Sequence, residues 1–194
     1  MESAKNRKQG LIKRNYYDLD YLLNKIDEPN RSKCLEIIKS NQEIIHESLG
    51  SRHNHQNWRG GYLDHLREIM NIALVLYKTM NKYRQLEFSI SDVLLILFLH
   101  DLEKPWIYCK KENLPIKKQR LDFVKQKVKE YKFELTKEHE NAILFVEGEN
   151  KDYSPNHRVM GRLAAFCHIC DTISARIWFD HPFEKNDSWG FREF

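Results

Sequence analysis

The chain has 194 residues, 41% hydrophobic and 31% charged, which supports one domain with a true core and excludes an intrinsically disordered chain. Its longest apolar run, residues 93–99, falls far short of the roughly 20 residues a membrane helix needs, so no membrane partner is expected. A formal charge of +4 suits an anionic substrate or loose contact with single-stranded nucleic acid, and is equally what a solvated basic face produces.

Seven glycines and five prolines, with apolar residues recurring every three to four positions, predict a mostly helical protein. Residues 1–15 read as a basic mobile arm, and 16–194 as the folded domain. The opening MESAKNRKQG carries charge with no apolar stretch behind it, so a cytoplasmic location is expected. A first helix is predicted over 16–26, stopping before Pro29, and a second over 31–49, closed by Gly50. Residues 51–59, SRHNHQNWR, have no period and read as a loop. From 61 to 82 the spacing of Leu63, Leu66, Ile69, Met70, Ala73, Leu74 and Tyr77 predicts an amphipathic helix.

Ser91 and Asp92 then open a helix with the apolar body VLLILFLHDLEK, which Pro105 is expected to end. Residues 107–118 read as irregular, with room for a short hairpin. Helices resume over 119–131 and 136–146, and a last long one spans 157–178. The aromatic tail from 181 onward is expected to pack back on the body or on a second copy, as in a homodimer. Four cysteines are present; Cys167 and Cys170 form a C-x-x-C, but both fall on an apolar helix face and have no second ligand pair, so they read as core.

The chemistry is concentrated around His100–Asp101. Seven apolar residues precede this pair, which marks a helix buried on nearly all sides and ending in an imidazole and a carboxylate. Such groups cost roughly several kcal/mol to bury without a partner. A hard divalent cation satisfies both together, because it accepts carboxylate oxygen and imidazole nitrogen. Two other helices carry a ligand-type side chain at the margin of the buried face, His65 and Asp171. Taken singly, His65 is a core-edge histidine, His100–Asp101 a satisfied helix-end pair, and Asp171 a partner for Arg162 or Arg176.

Taken together, GGYLDH (60–65), LHDLEKP (99–105) and HICDTISAR (168–176) resemble the successive motifs of the HD-domain phosphohydrolase superfamily. The resemblance covers roughly residues 45–178. It implies a single all-helical bundle in which His65, His100, Asp101 and Asp171 bind one divalent metal, drawn from Mn, Mg, Fe, Co, Ni and Zn. A metal so held keeps positions open for water and a phosphate oxygen, lowers the pKa of bound water and neutralises charge on the phosphoryl group. Asp101 then bridges to a second metal or accepts a proton. Lys104, at a position often lysine in this family, is either a point charge for a phosphate oxygen or a solvated helix-end lysine.

The chain also departs from that pattern. Glu103 stands where many members have glycine, and it falls two residues after Asp101, whereas nucleotidase-like members place a glutamate three residues on. No catalytic glutamate is therefore carried over. His53, His55, Trp58 and Arg59, before the Gly-Gly turn, resemble a loop that borders the active site in the exoribonuclease branch. They are candidates to stack on a base and grip phosphates, or form a polar surface loop. His139 is a candidate second-metal ligand.

The expected activity is metal-dependent hydrolysis of a phosphoester on a nucleotide or related small phosphorylated molecule. One alternative is a phosphodiesterase acting on cyclic nucleotides or oligonucleotide ends. The other is a non-catalytic, metal-stabilised nucleotide-binding module.

Overall fold

The computed structural model describes residues 16–182; the expected basic arm (1–15) and the tail from residue 183 lie outside the described residues. Every regular element among the described residues is helical, as the periodicity predicts, and no strand forms between 107 and 118. None of the described helices is long and apolar enough to cross a membrane.

Asp18 opens α1 (Leu19–Leu23) by accepting the Tyr21 N–H at 2.8 Å, so the first helix starts later than the apolar spacing suggests. The single helix expected over 31–49 divides into α2 (Asn30–Ser40) and α3 (Gln42–Glu47). The break falls at Asn41 (φ −127°), whose Nδ2 donates to the Ile37 carbonyl and, at 3.1 Å, to the Tyr131 hydroxyl. A distant partner thus decides a break that the local pattern does not show.

Helix α4 (Gly61–Tyr83) is the long amphipathic helix, and Gly60 turns the chain into it with φ +81°. Gly61 allows a close approach of the preceding loop: a Cβ there would lie 2.0 Å from the Gln56 carbonyl oxygen. Helix α5 (Ile90–Leu99) begins just ahead of the Ser91 start expected from sequence. Ser89 caps the Asp92 N–H while the Asp92 carboxylate accepts from Ser89 N–H, a reciprocal capping box. All of residues 93–99 are at most 2% exposed. Each such aliphatic side chain contributes roughly 1.5–3 kcal/mol on burial, so α5 is the element around which the others organise.

Pro105 does not end a helix; it opens one. In α6 (Lys104–Tyr108) it occupies the first turn, where its missing N–H has no intrahelical partner to lose and its fixed φ suits the helix. Helices α7 (Lys117–Glu130) and α8 (Lys137–Phe145) follow. The last, α9 (Arg162–Arg176), starts five residues later than expected, because Asn141 holds the irregular approach to it. The Asn141 side chain donates to the Val159 carbonyl at 2.9 Å and accepts from Gly161 N–H at 2.8 Å. Helix α9 packs on α4, α5 and α8, with Leu163, Phe166, Cys167 and Cys170 buried. All four cysteines are free.

Candidate metal centre

Three helices deliver the site. His65 lies one turn into α4, His100 is the C-cap of α5 with helical backbone angles, and Asp171 lies on α9. Since α9 packs on both α4 and α5, residues more than a hundred positions apart converge. His65 Nε2 is 3.2 Å from Asp171 Oδ1, and His100 Nε2 is 3.7 Å from the same oxygen. Asp101 Oδ2 adds a contact of 3.0 Å to His100 Nε2 and 3.6 Å to His65 Nε2. His65, His100 and Asp171 each offer a ligand atom within 4.8 Å of the others and could hold a metal ion. Asp101 adjoins this trio and is also ion-paired with Lys104.

The hydrogen bonds behind the imidazoles determine what faces inward. His100 Nδ1 lies 2.7 Å from the Leu97 carbonyl, which can only accept, so Nδ1 carries hydrogen and a neutral ring turns the Nε2 lone pair inward. His65 Nδ1 contacts Ser174 Oγ at 3.1 Å. The Nε2 atoms of both rings are buried without a hydrogen-bond partner, whereas Asp101 Oδ2 has the Lys104 ammonium against it. Lone pairs facing carboxylate oxygens at such distances repel unless a cation lies between them, so this donor set fits a divalent metal.

Without such a cation, protons partly serve instead. Burial opposes charge on His100, but the Asp101 and Asp171 carboxylates carry its imidazole well above the ordinary value. Burial holds His65 below its own. Burial also works against charge on Asp101, yet His100, Lys104 and His65 keep its carboxyl far below the usual range. Asp171 is lowered in the same way, against burial, by His100 and His65.

Beside the centre opens a cleft of about 490 Å³, lined in part by Arg52, His55, Glu103, Lys104, Tyr108 and Arg120. Arg52 sits over the Tyr108 ring, 5.8 Å from its centroid. His55 lies 4.6 Å, ring to ring, from His65, and both of its ring nitrogens are buried without a hydrogen-bond partner. Burial, reinforced by His65 and Lys104, pulls the His55 imidazole down to about 3, so the ring is neutral. Glu103 is 3% exposed, and burial followed by the Asp101 charge pushes its carboxyl up to about 8.

No family model, curated protein or solved structure matches this chain.

Several residues picked from the sequence lie elsewhere. His139 is no partner of the His65–His100 centre. It completes the cap of α8, accepting the Thr136 N–H at 3.2 Å, and its Nε2 lies 2.8 Å from Asp92 Oδ1. Asp92 stands in the first turn of α5, at the opposite end from His100, and that separation excludes His139 as a ligand to the same cluster. Of the loop residues, His55 reaches the cleft, whereas His53, Trp58 and Arg59 do not line it. The fully buried Gln56 (φ +41°) curls the loop onto α4, so the residues after it serve the helix start. Trp58 Nε1 donates to Asp64 at 2.9 Å, Arg59 pairs with Glu47, and His53 is exposed.

Other contributors escaped the sequence reading. Gln56, Glu68 and Ser174 form a buried polar group behind His65. Glu68 lies on the side of α4 away from the Leu66–Met70 stripe and is buried by Gln56 and Ser174, so the apolar period held no signal for it. Tyr108, Arg120 and Glu147 reach the cleft by the path of the chain after α5, which has no sequence signature.

Proposed function

We propose that this protein is a metal-dependent phosphohydrolase of the HD type, acting on a nucleotide or a related small phosphorylated molecule. The observation that carries the reading is the pair of buried imidazole nitrogens, His65 Nε2 and His100 Nε2, which have no hydrogen-bond partner and face Asp171 Oδ1 and Asp101 Oδ2 beside a cleft lined by Arg52, Lys104 and Arg120. His65, His100, Asp101 and Asp171 hold the metal, which when bound supplies Lewis-acid polarisation of a phosphoryl oxygen and activation of water.

The other groups bind and orient. Lys104, whose pKa is raised by the carboxylates against its burial, keeps its proton and offers a fixed positive charge to a phosphate oxygen. Arg52 and Arg120 add planar donors suited to the remaining phosphate oxygens. Asp101, held far below the usual carboxylate range, is a poor proton acceptor at neutral pH, so its catalytic work is to orient the attacking water. His55, neutral, packs against the His65 ring and forms part of the cleft wall. The cleft volume matches a single nucleotide-sized ligand. His53, Trp58 and Arg59 stand off its walls, so of the loop candidates for gripping an oligonucleotide end only His55 faces the cleft.

The test combines metal analysis of the purified protein with a hydrolysis screen. The panel holds nucleoside mono-, di- and triphosphates, cyclic nucleotides and a short RNA, each with manganese or magnesium. Bound metal and consumption of one mononucleotide class, both lost in Asp101→Ala, are expected. Metal and tight nucleotide binding with no product would replace the hydrolase reading by a binding module. Metal content and activity that survive Asp101→Ala would end it.

A further inference from the structure

His65 and His100 reach the same inward-facing tautomer by different means. His100 stands at the end of α5, where the Leu97 carbonyl is free to accept from Nδ1. His65 lies inside α4, whose carbonyls are engaged in the helix ladder, so a side chain has to supply the acceptor. That side chain is Ser174 of α9, whose Oγ is 3.1 Å from His65 Nδ1. The Ser174 hydroxyl in turn donates to Glu68 Oε2, and the same oxygen accepts from Gln56 Nε2 at 3.0 Å. Oε2 already accepts from Gln56 and accepts from Ser174 as well, so the one hydroxyl proton of Ser174 is committed to Glu68. Oγ is left to accept from His65, which places hydrogen on Nδ1 and leaves the Nε2 lone pair facing Asp171 and His100.

Packing alone does not account for this arrangement. Glu68 and Ser174 are both fully buried. A buried carboxylate is costly unless its oxygens are engaged, and an uncharged side chain of like volume would fill the space. We propose that Ser174 and Glu68 are positioning residues for the metal centre: through the Nδ1 hydrogen bond they set the tautomer and ring plane of His65 and strengthen Nε2 as a donor to a divalent cation. This inference rests on the metal-centre reading above.

The experiment titrates chelator-treated protein with Co²⁺, following the visible spectrum and the binding heat. It compares wild type, Ser174→Ala, Glu68→Gln and the double variant, with folding of each checked by circular dichroism. Each single variant is expected to bind Co²⁺ roughly 10- to 100-fold more weakly and with an altered spectrum. The double variant is expected to bind no more weakly than the poorer single one, because both break one chain.

In parallel, ¹⁵N NMR of the imidazoles in wild type, free and Zn²⁺-loaded, is expected to show hydrogen on Nδ1 of His65; this readout needs no variant to fold. Unchanged Co²⁺ affinity in folded single variants, strictly additive losses in the double variant, or hydrogen on Nε2 of His65 would overturn the proposal. Failure of the wild type to bind any metal would instead bring down the metal-centre reading, and this inference with it.

Discussion

Loading the centre with a divalent cation is expected to raise thermal stability, and Asp171→Ala is expected to remove that rise. The Nε2 atoms of His65 and His100 face the Asp101 and Asp171 oxygens at 3.0 to 3.7 Å. A cation bound only by the folded state contributes RT ln(1 + [L]/Kd), about 2.7 kcal/mol at a hundred times Kd. In a chain of this size one kcal/mol moves Tm by about 2–4 °C, so the expected rise is about 5–11 °C. Asp171→Ala removes one of the three mutually close donors, and its Tm then stays where it was when cation is added.

The affinity also has a sign in pH. The carboxylates hold His100 protonated above its ordinary value, so a cation has to displace that proton. Binding therefore strengthens as pH rises, by about tenfold per unit below the raised His100 pKa, and levels off above it. Scanning fluorimetry on chelator-treated protein with added Mn²⁺ or Zn²⁺, repeated across pH, reads both effects. Equal Tm shifts in wild type and Asp171→Ala, or an affinity indifferent to pH, would refute the reasoning.

Three further outcomes follow from the same geometry. Glu103 is neutral in the fold up to about pH 8 but ionises in the unfolded chain near its ordinary 4.5, so it takes stability away as pH rises through that window. Glu103→Gln is isosteric and cannot ionise; in metal-free protein its Tm gain over wild type should be larger at pH 8.5 than at pH 5, and a gain that does not change with pH would contradict the burial argument. Gly61→Ala pushes a methyl into the Gln56 carbonyl and is expected to cost roughly 3 kcal/mol in chemical denaturation. A neutral Gly61→Ala would mean that the loop is not held against α4 as described. His139→Ala loses the bonds to Thr136 and Asp92, at roughly 1–2 kcal/mol, and leaves metal content unchanged. A fall in bound metal for that variant would restore His139 as a ligand.

Helicity was legible because it is a local property. The three-to-four spacing of apolar residues in α4 and the unbroken apolar run of α5 dictate helices whatever surrounds them, and the all-α class follows. Residue chemistry was legible too: imidazoles and carboxylates at the margins of buried faces mark His65, His100, Asp101 and Asp171 in the sequence alone. What the sequence could not determine were events set by distant partners. Asn41 breaks a helix because Tyr131 takes its side chain, His139 is drawn to Asp92, and Gln56 turns Trp58 and Arg59 away from the cleft. Pro105 was misjudged for a local reason, since a proline suits a first helical turn as well as it stops a last one.

The metal candidates meet only because α9 lies across both α4 and α5. The same packing supplies Ser174 to the back of His65, across 109 positions of chain. By itself the sequence determined which helices form and which donor atoms they carry. The tertiary structure decided which of those atoms meet, because interhelical packing, unlike helical period, depends on every buried face at once.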